Sequence, residues 1–204
     1  MTETFAQFLA GTTAVAFGQF KLKSGLESDI FFNFGNVASG RELEALGRHF
    51  ARFIVERSLH NVDALFGPAY KGIPIAVSTS IALWRDHRVD LPVAYNRKSE
   101  KKHGEGGNFI GKDLTKVSTV LAIDDVITDG LTKYETIEML RIFPRLKISK
   151  FVIGVDRQDA DQMGRPWLQK FVADTGIDVV AMTTKDEVMK FKPVTCDPRG
   201  VKLA

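Results

Sequence analysis

The chain has 204 residues, 44% hydrophobic and 26% charged, an ordinary globular composition that excludes a disordered, collagen-like or disulfide-stapled chain. Its 28 Lys and Arg stand against 25 Asp and Glu, a formal net charge of +3. That balance gives little general attraction for nucleic acid or anionic lipid, so any anion site has to be local, with no nucleic-acid or membrane partner expected.

The single cysteine, Cys196, has no partner for an internal disulfide and suits a reducing compartment. An acid at Glu3 and no basic segment before the first apolar stretch predict a cytoplasmic N-terminus rather than a signal peptide. The longest apolar run, Ile73 to Trp84, is interrupted by Pro74, Ser78, Thr79 and Ser80 and falls short of the roughly 20 residues of a membrane span.

In chain order, Thr4 to Thr13 predicts a short amphipathic helix, and Phe17 to Phe34 predicts two short strands around a turn at Lys23-Ser24-Gly25. Arg41 to Leu59 sets Leu43, Leu46, Phe50, Phe53 and Ile54 at helical spacing with charges between them, the pattern of a core-facing helix. Strand Ala64 to Phe66, helix Ile73 to Trp84 and strand Leu91 to Tyr95 follow. Val117 to Ile123 is a near-continuous apolar run ending in two aspartates, which reads as a strand buried on both faces. A helix from Leu131 to Ile142 stops before Pro144; then come strand Lys150 to Val155, helix Pro166 to Thr175 and strand Asp178 to Met182.

This βαβα alternation predicts an α/β fold with a mostly parallel central sheet and helices on both faces, whose ligands lie beyond the carboxyl ends of strands. Just after Phe66, Tyr95, Ile123 and Val155 the sequence reads GPAYKG, NRKSEKKHGEGGN, DDVITDG and DRQ, each polar or glycine-rich.

The most informative of these runs from Val120 to Thr132. A buried strand delivers Asp124 and Asp125, and a short loop through Thr128 and Gly130 opens a helix. Backbone N–H groups at such a helix start, with hydroxyls and a glycine beside them, make a seat for a phosphate. The paired acids suit sugar hydroxyls or an indirectly held Mg²⁺; locally they would also serve to cap the next helix.

The stretch resembles the phosphoribosyl diphosphate motif of the type I phosphoribosyltransferases: hydrophobic strand, two acids, two residues, a hydroxyl residue, one residue, glycine. The resemblance implies that Asp124 and Asp125 hold the ribose, and that Val126, Ile127, Thr128, Asp129, Gly130, Leu131 and Thr132 seat the 5′-phosphate. Other segments are similar to the orotate phosphoribosyltransferases. Gly67-Pro-Ala-Tyr-Lys-Gly72 looks like their GPAYKG turn, which implies that Tyr70 and Lys71 meet the diphosphate. Arg97-Lys-Ser-Glu-Lys-Lys-His-Gly-Glu-Gly-Gly-Asn108 looks like their catalytic loop, in which Arg97, Lys98, Lys101 and His103 would close over the diphosphate from the neighbouring subunit of a homodimer.

Phe17 to Gly25 followed by Phe31-Phe-Asn33 resembles their N-terminal hood, with Lys23 reaching the reacting centre and Phe31 and Phe32 flanking orotate. Asp156-Arg157-Gln158 matches the family's orotate-holding arginine; a guanidinium grips a carboxylate or imide oxygens bidentately, as a lysine does not. Thr128 is also expected beside the base.

The resemblance thus implies the type I phosphoribosyltransferase fold, with residues 1–40 as helix and hood and 41–204 as a core carrying the flexible loop 97–109, all one structural unit. It also implies Mg²⁺ bound through the substrate rather than directly by protein, with Lys101, His103, Lys23, Asp124 and Asp125 as the catalytic set. A phosphoribosyltransferase for another base and a non-catalytic sensor of the same donor are the alternatives. The chain departs from the pattern at Leu131, where Thr or Ser is usual and the hydroxyl is delayed to Thr132, at the acidic Asp129, and at Ser28-Asp29-Ile30 in place of Ser-Pro-aromatic.

Overall fold

The computed structural model describes residues 3–21, 27–98 and 108–193. Helix α1 (Phe5–Ala10) leads into an antiparallel pair, β1 (Val15–Lys21) and β2 (Glu27–Phe32). Helix α2 (Gly40–Glu56) starts at a capping box that the expected start at Arg41 overlooked: the Glu42 N–H donates to Ser39 Oγ at 3.2 Å and the Ser39 N–H to Glu42 Oε2 at 3.4 Å. There follow β3 (Ala64–Phe66), α3 (Gly72–His87), β4 (Val93–Asn96), β5 (Phe109–Gly111), β6 (Thr119–Ile127), α4 (Leu131–Leu140), β7 (Lys147–Asp156), α5 (Trp167–Thr175), β8 (Val179–Thr184) and α6 (Lys185–Met189).

The six-stranded sheet has the order β5-β4-β3-β6-β7-β8, parallel throughout except for the edge strand β5. Because β3 leads by way of α3 to β4 on one side while β6 leads by way of α4 to β7 on the other, the chain reverses direction between β3 and β6. A crevice therefore opens beyond the carboxyl ends of those two strands. Leu65, Leu121, Ile123 and Val152 pack under α2 and α3, whereas Ala122, Phe151 and Ile153 pack with Phe171 of α5 and Ile137 of α4. Phe17, Ile30, Phe32 and Phe34 belong to the first of these clusters, so the N-terminal pair of strands shares the main core. Among the described residues no helix is long and apolar enough to cross a membrane.

Gly154 is where sheet and N-terminal segment come closest. A Cβ there would lie 2.7 Å from Phe34 Cζ and 2.8 Å from the Asp125 carbonyl oxygen. Gly154→Ala is therefore expected to cost about 1–3 kcal/mol by overpacking, read as a lowered denaturation midpoint with an unchanged m-value.

His49 on α2 lies against Phe8 of α1, ring centroids 4.8 Å apart, and its Nδ1 accepts from Arg52 Nη2 at 3.1 Å. Burial, with Arg52 and Arg48 alongside, lowers its pKa to about 4. The unfolded chain then binds the extra proton first as pH falls, so this contribution to stability is intact above about 6.5 and is lost toward 4, at most about 1.4 kcal/mol per pH unit. Denaturant midpoints measured between pH 7 and 4 should fall less steeply in His49→Leu.

Candidate active site

The turn after β3 is shaped by close backbone approach. A Cβ on Gly67 would lie 2.4 Å from the Gly72 carbonyl oxygen, and one on Gly72 would lie 2.9 Å from that of Ile123, so the turn packs directly against the middle of β6. Asn96, buried at the end of β4, fastens it by accepting the Ala69 N–H at 2.8 Å. Asn96 opens the polar segment after Tyr95, where the sequence alone assigns it no role of its own. Tyr70 projects into solvent, with Lys98 Nζ 5.2 Å from its ring centroid. Arg97 anchors the start of the basic segment by donating its N–H to the Asn108 carbonyl at 2.7 Å. Its Nε is buried without a hydrogen-bond partner among the described residues.

Strand β6 runs further than its apolar stretch suggests. Val126 and Ile127 still pair with Val155 and Asp156 of β7, so Asp124 and Asp125 lie inside the strand rather than at its end. Successive strand residues face opposite sides, and each acid consequently meets a different lysine. Asp125 Oδ2 lies 3.1 Å from Lys71 Nζ of the β3–α3 turn, and Asp124 Oδ2 accepts from Lys133 Nζ of α4 at 2.6 Å. Neither acid caps α4. Burial raises the pKa of the Asp124 carboxyl against the pull of Lys133. The structure therefore adds Lys133, only 2% exposed, which sequence reading missed because a lysine on a helix normally counts as a solvated face.

Between β6 and α4 the chain turns through Thr128 and Asp129 to Gly130, whose φ of 76° is left-handed. Asp129 does the capping here: its Oδ1 accepts the Leu131 N–H at 3.1 Å and the Thr128 hydroxyl at 3.4 Å. An acid at a helix start is favourable for the free protein, but it occupies an amide that a phosphate would use. Asp129→Ala is expected to tighten binding of a phosphorylated sugar by about threefold to tenfold while lowering stability by about 1 kcal/mol; calorimetric titration and denaturation read the two effects separately. Leu131 is exposed beside this loop, and the Thr132 side chain is exposed one residue on.

At the end of β7, Arg157 is 3% exposed. Its Nε donates to Asp159 Oδ2 at 2.9 Å, its guanidinium carbon lies 6.0 Å from the centroid of the Phe32 ring, and its buried Nη2 has no hydrogen-bond partner among the described residues. Beside it, burial raises the pKa of the Asp156 carboxyl. Phe32 faces inward and Phe31 outward, where it packs on Phe20 at 5.6 Å, so only one of the two rings accompanies Arg157. A cavity of about 520 Å³ between β2 and α6, lined among others by Ile30 and Met189, touches this end through Asp159. Lys23, Lys101 and His103, like Cys196, lie outside the described residues.

A loop at a helix start, a second turn carrying a lysine and two strand-borne acids thus converge on the switch point of a parallel sheet. Residues 34–158, which span all of these, match the family described as the phosphoribosyl transferase domain, and the fold and site define that class. Orotate phosphoribosyltransferases from Pseudomonas fluorescens and Klebsiella pneumoniae are 41% and 40% identical to this chain over 187 residues, covering 92% of it and 86% of each relative. The crystal structure of orotate phosphoribosyltransferase from Francisella tularensis superposes with a TM-score of 0.75 at 35% identity, over 92% of this chain and 95% of that one. The chain belongs to the orotate phosphoribosyltransferase family.

Proposed function

We propose that the chain transfers the phosphoribosyl group of 5-phosphoribosyl 1-diphosphate to orotate, giving orotidine 5′-phosphate and diphosphate, a step of pyrimidine nucleotide synthesis in the cytoplasm. As the C1–O bond of the donor breaks, the ribose becomes cation-like and negative charge builds on the departing diphosphate. Lys71, Arg97, Lys98, Lys101 and His103 stabilise that charge, with Tyr70 at the same turn. Asp124 and Asp125 hold the ribose hydroxyls, the loop from Val126 to Thr132 seats the 5′-phosphate, and Lys23 approaches the reacting carbon.

Both acids are already engaged by lysines, and among the described residues no three metal-ligating side chains cluster. That arrangement fits a Mg²⁺ carried on the oxygens of the donor rather than held in a protein cage. Bound there, Mg²⁺ supplies further charge neutralisation of the leaving group. The basic loop is given across a two-fold interface, each subunit of a homodimer completing its partner's site.

The acceptor assignment rests on Arg157. A buried guanidinium with a free terminal nitrogen beside an aromatic ring matches a flat, carboxylate-bearing base, with Phe32 against the ring, Phe31 at the hood's outer face and Thr128 near the base. Offering the protein the diphosphate donor, Mg²⁺ and either orotate, uracil, adenine or hypoxanthine tests this. Diphosphate release with orotate alone is expected. Faster release with a base lacking the carboxylate would transfer the chain to the alternative of another phosphoribosyltransferase, and release with none would leave it a sensor.

A further inference from the structure

We propose that Lys133 is a positioning residue of the phosphoribosyl diphosphate site, acting from beneath it to keep the Asp124 carboxylate ionised and to aim the Thr132 hydroxyl at the phosphate. The inference rests on the donor-site reading above. Lys133 is buried in the first turn of α4, and its ammonium is saturated by three acceptors: Asp124 Oδ2 at 2.6 Å, the Val126 carbonyl at 2.6 Å and Thr132 Oγ1 at 3.1 Å. An ammonium with three donors and no acceptor turns every lone pair it meets toward itself. Thr132 Oγ1 accepts from Lys133, so its own proton points elsewhere, and on an exposed side chain at the rim of the phosphate loop it points to the ligand. That supplies a hydroxyl donor one residue after Leu131, where the side chain has none.

Asp124 sits in a strand buried on both faces, where an unpaired carboxylate takes up a proton instead of staying charged. Among the described residues, the charged groups acting on it are Lys133 from α4 and, from the opposite face of its own strand, Asp125, itself held by Lys71 from the turn before α3; β7 contributes Ile153 at the paired position. Asp125 opposes the ionisation of Asp124 by like charge while its N–H donates to Asp124 Oδ1 at 2.9 Å, so Lys133 is the opposite charge that sustains it. A protonated Asp124 would lose its strong acceptor character toward a sugar hydroxyl.

The test compares Lys133→Met and Lys133→Gln with the native chain. Affinity for 5-phosphoribosyl 1-diphosphate is measured by calorimetry from pH 5.5 to 8.5, beside thermal unfolding. The native chain supplies the reference profile, which includes the titration of the donor's own phosphate groups. Lys133→Met should bind at least about tenfold more weakly near pH 6 and recover toward pH 8.5 as Asp124 ionises. Lys133→Gln, which keeps two amide N–H donors but no charge, should show the same trend less strongly. Folded variants that bind within about twofold of native at every pH would overturn the proposal. So would failure of both variants to fold, which would make Lys133 a structural residue. Absence of binding by the native chain would overturn the donor-site reading itself.

Discussion

Replacing Arg157 by lysine is expected to raise the KM for orotate by roughly tenfold to a hundredfold and to leave that for phosphoribosyl diphosphate within about twofold. The expectation follows from how the guanidinium is held. Asp159 takes Nε at 2.9 Å, which fixes the plane of the fork, and the buried Nη2 has no partner among the described residues. A planar fork locked by one edge presents its terminal nitrogens to an incoming carboxylate or imide pair at little further entropic cost. A lysine at the same Cα offers a point charge on a flexible stem and leaves Asp159, itself largely buried, without its fork. Steady-state kinetics with each substrate varied in turn give the answer. An unchanged KM for orotate would remove Arg157 from the base site.

Mixing two nearly inactive homodimers, Lys101→Ala and Asp125→Asn, is expected to restore activity, to about a quarter of the native value at equal subunit ratio if half the dimers are hybrid and each hybrid carries one intact site. The prediction belongs to the shared-loop reading. The segment from Arg97 to Asn108 is rich in lysine and glycine, the composition on which that reading rests. If it acts across the interface, one site of the hybrid combines an intact Asp125 with the partner's intact Lys101 while the other carries both defects. If it acts within its own subunit, every site keeps one defect. Verified subunit exchange with no recovery would refute the shared site and leave the assigned reaction standing.

Much of this architecture was legible in the sequence, because the signals are of a kind that survives folding. Helices α2 and α3 and the buried strands carry strong period or continuous apolar runs, and GPAYKG and DDVITDG mark backbone turns that few sequences satisfy. What escaped was of a different kind. Strand β5 has three residues at a sheet edge, too short for any period. Helix α6 has five, although its start at Thr184, with Glu187 three residues on, carries a capping-box signature that was there to be read. The apolar run of β6 stops at Ile123 while its hydrogen bonding continues to Ile127, since a strand tolerates two acids in its interior when each meets a lysine from an opposite face. Lys133 is the partner that made this possible, and its burial is a tertiary fact with no local trace. Asp129 was legible only as a departure from the motif; that its carboxylate bonds the loop's own amide at Leu131 emerges only in the folded loop.

The transfer itself is tested by supplying the native protein with orotate, 5-phosphoribosyl 1-diphosphate and Mg²⁺ and following the loss of orotate absorbance together with diphosphate release. One diphosphate for each orotate consumed, dependent on all three additions and abolished in Asp125→Asn, is the predicted result; orotate left unconsumed by a folded protein that binds the donor would contradict the account.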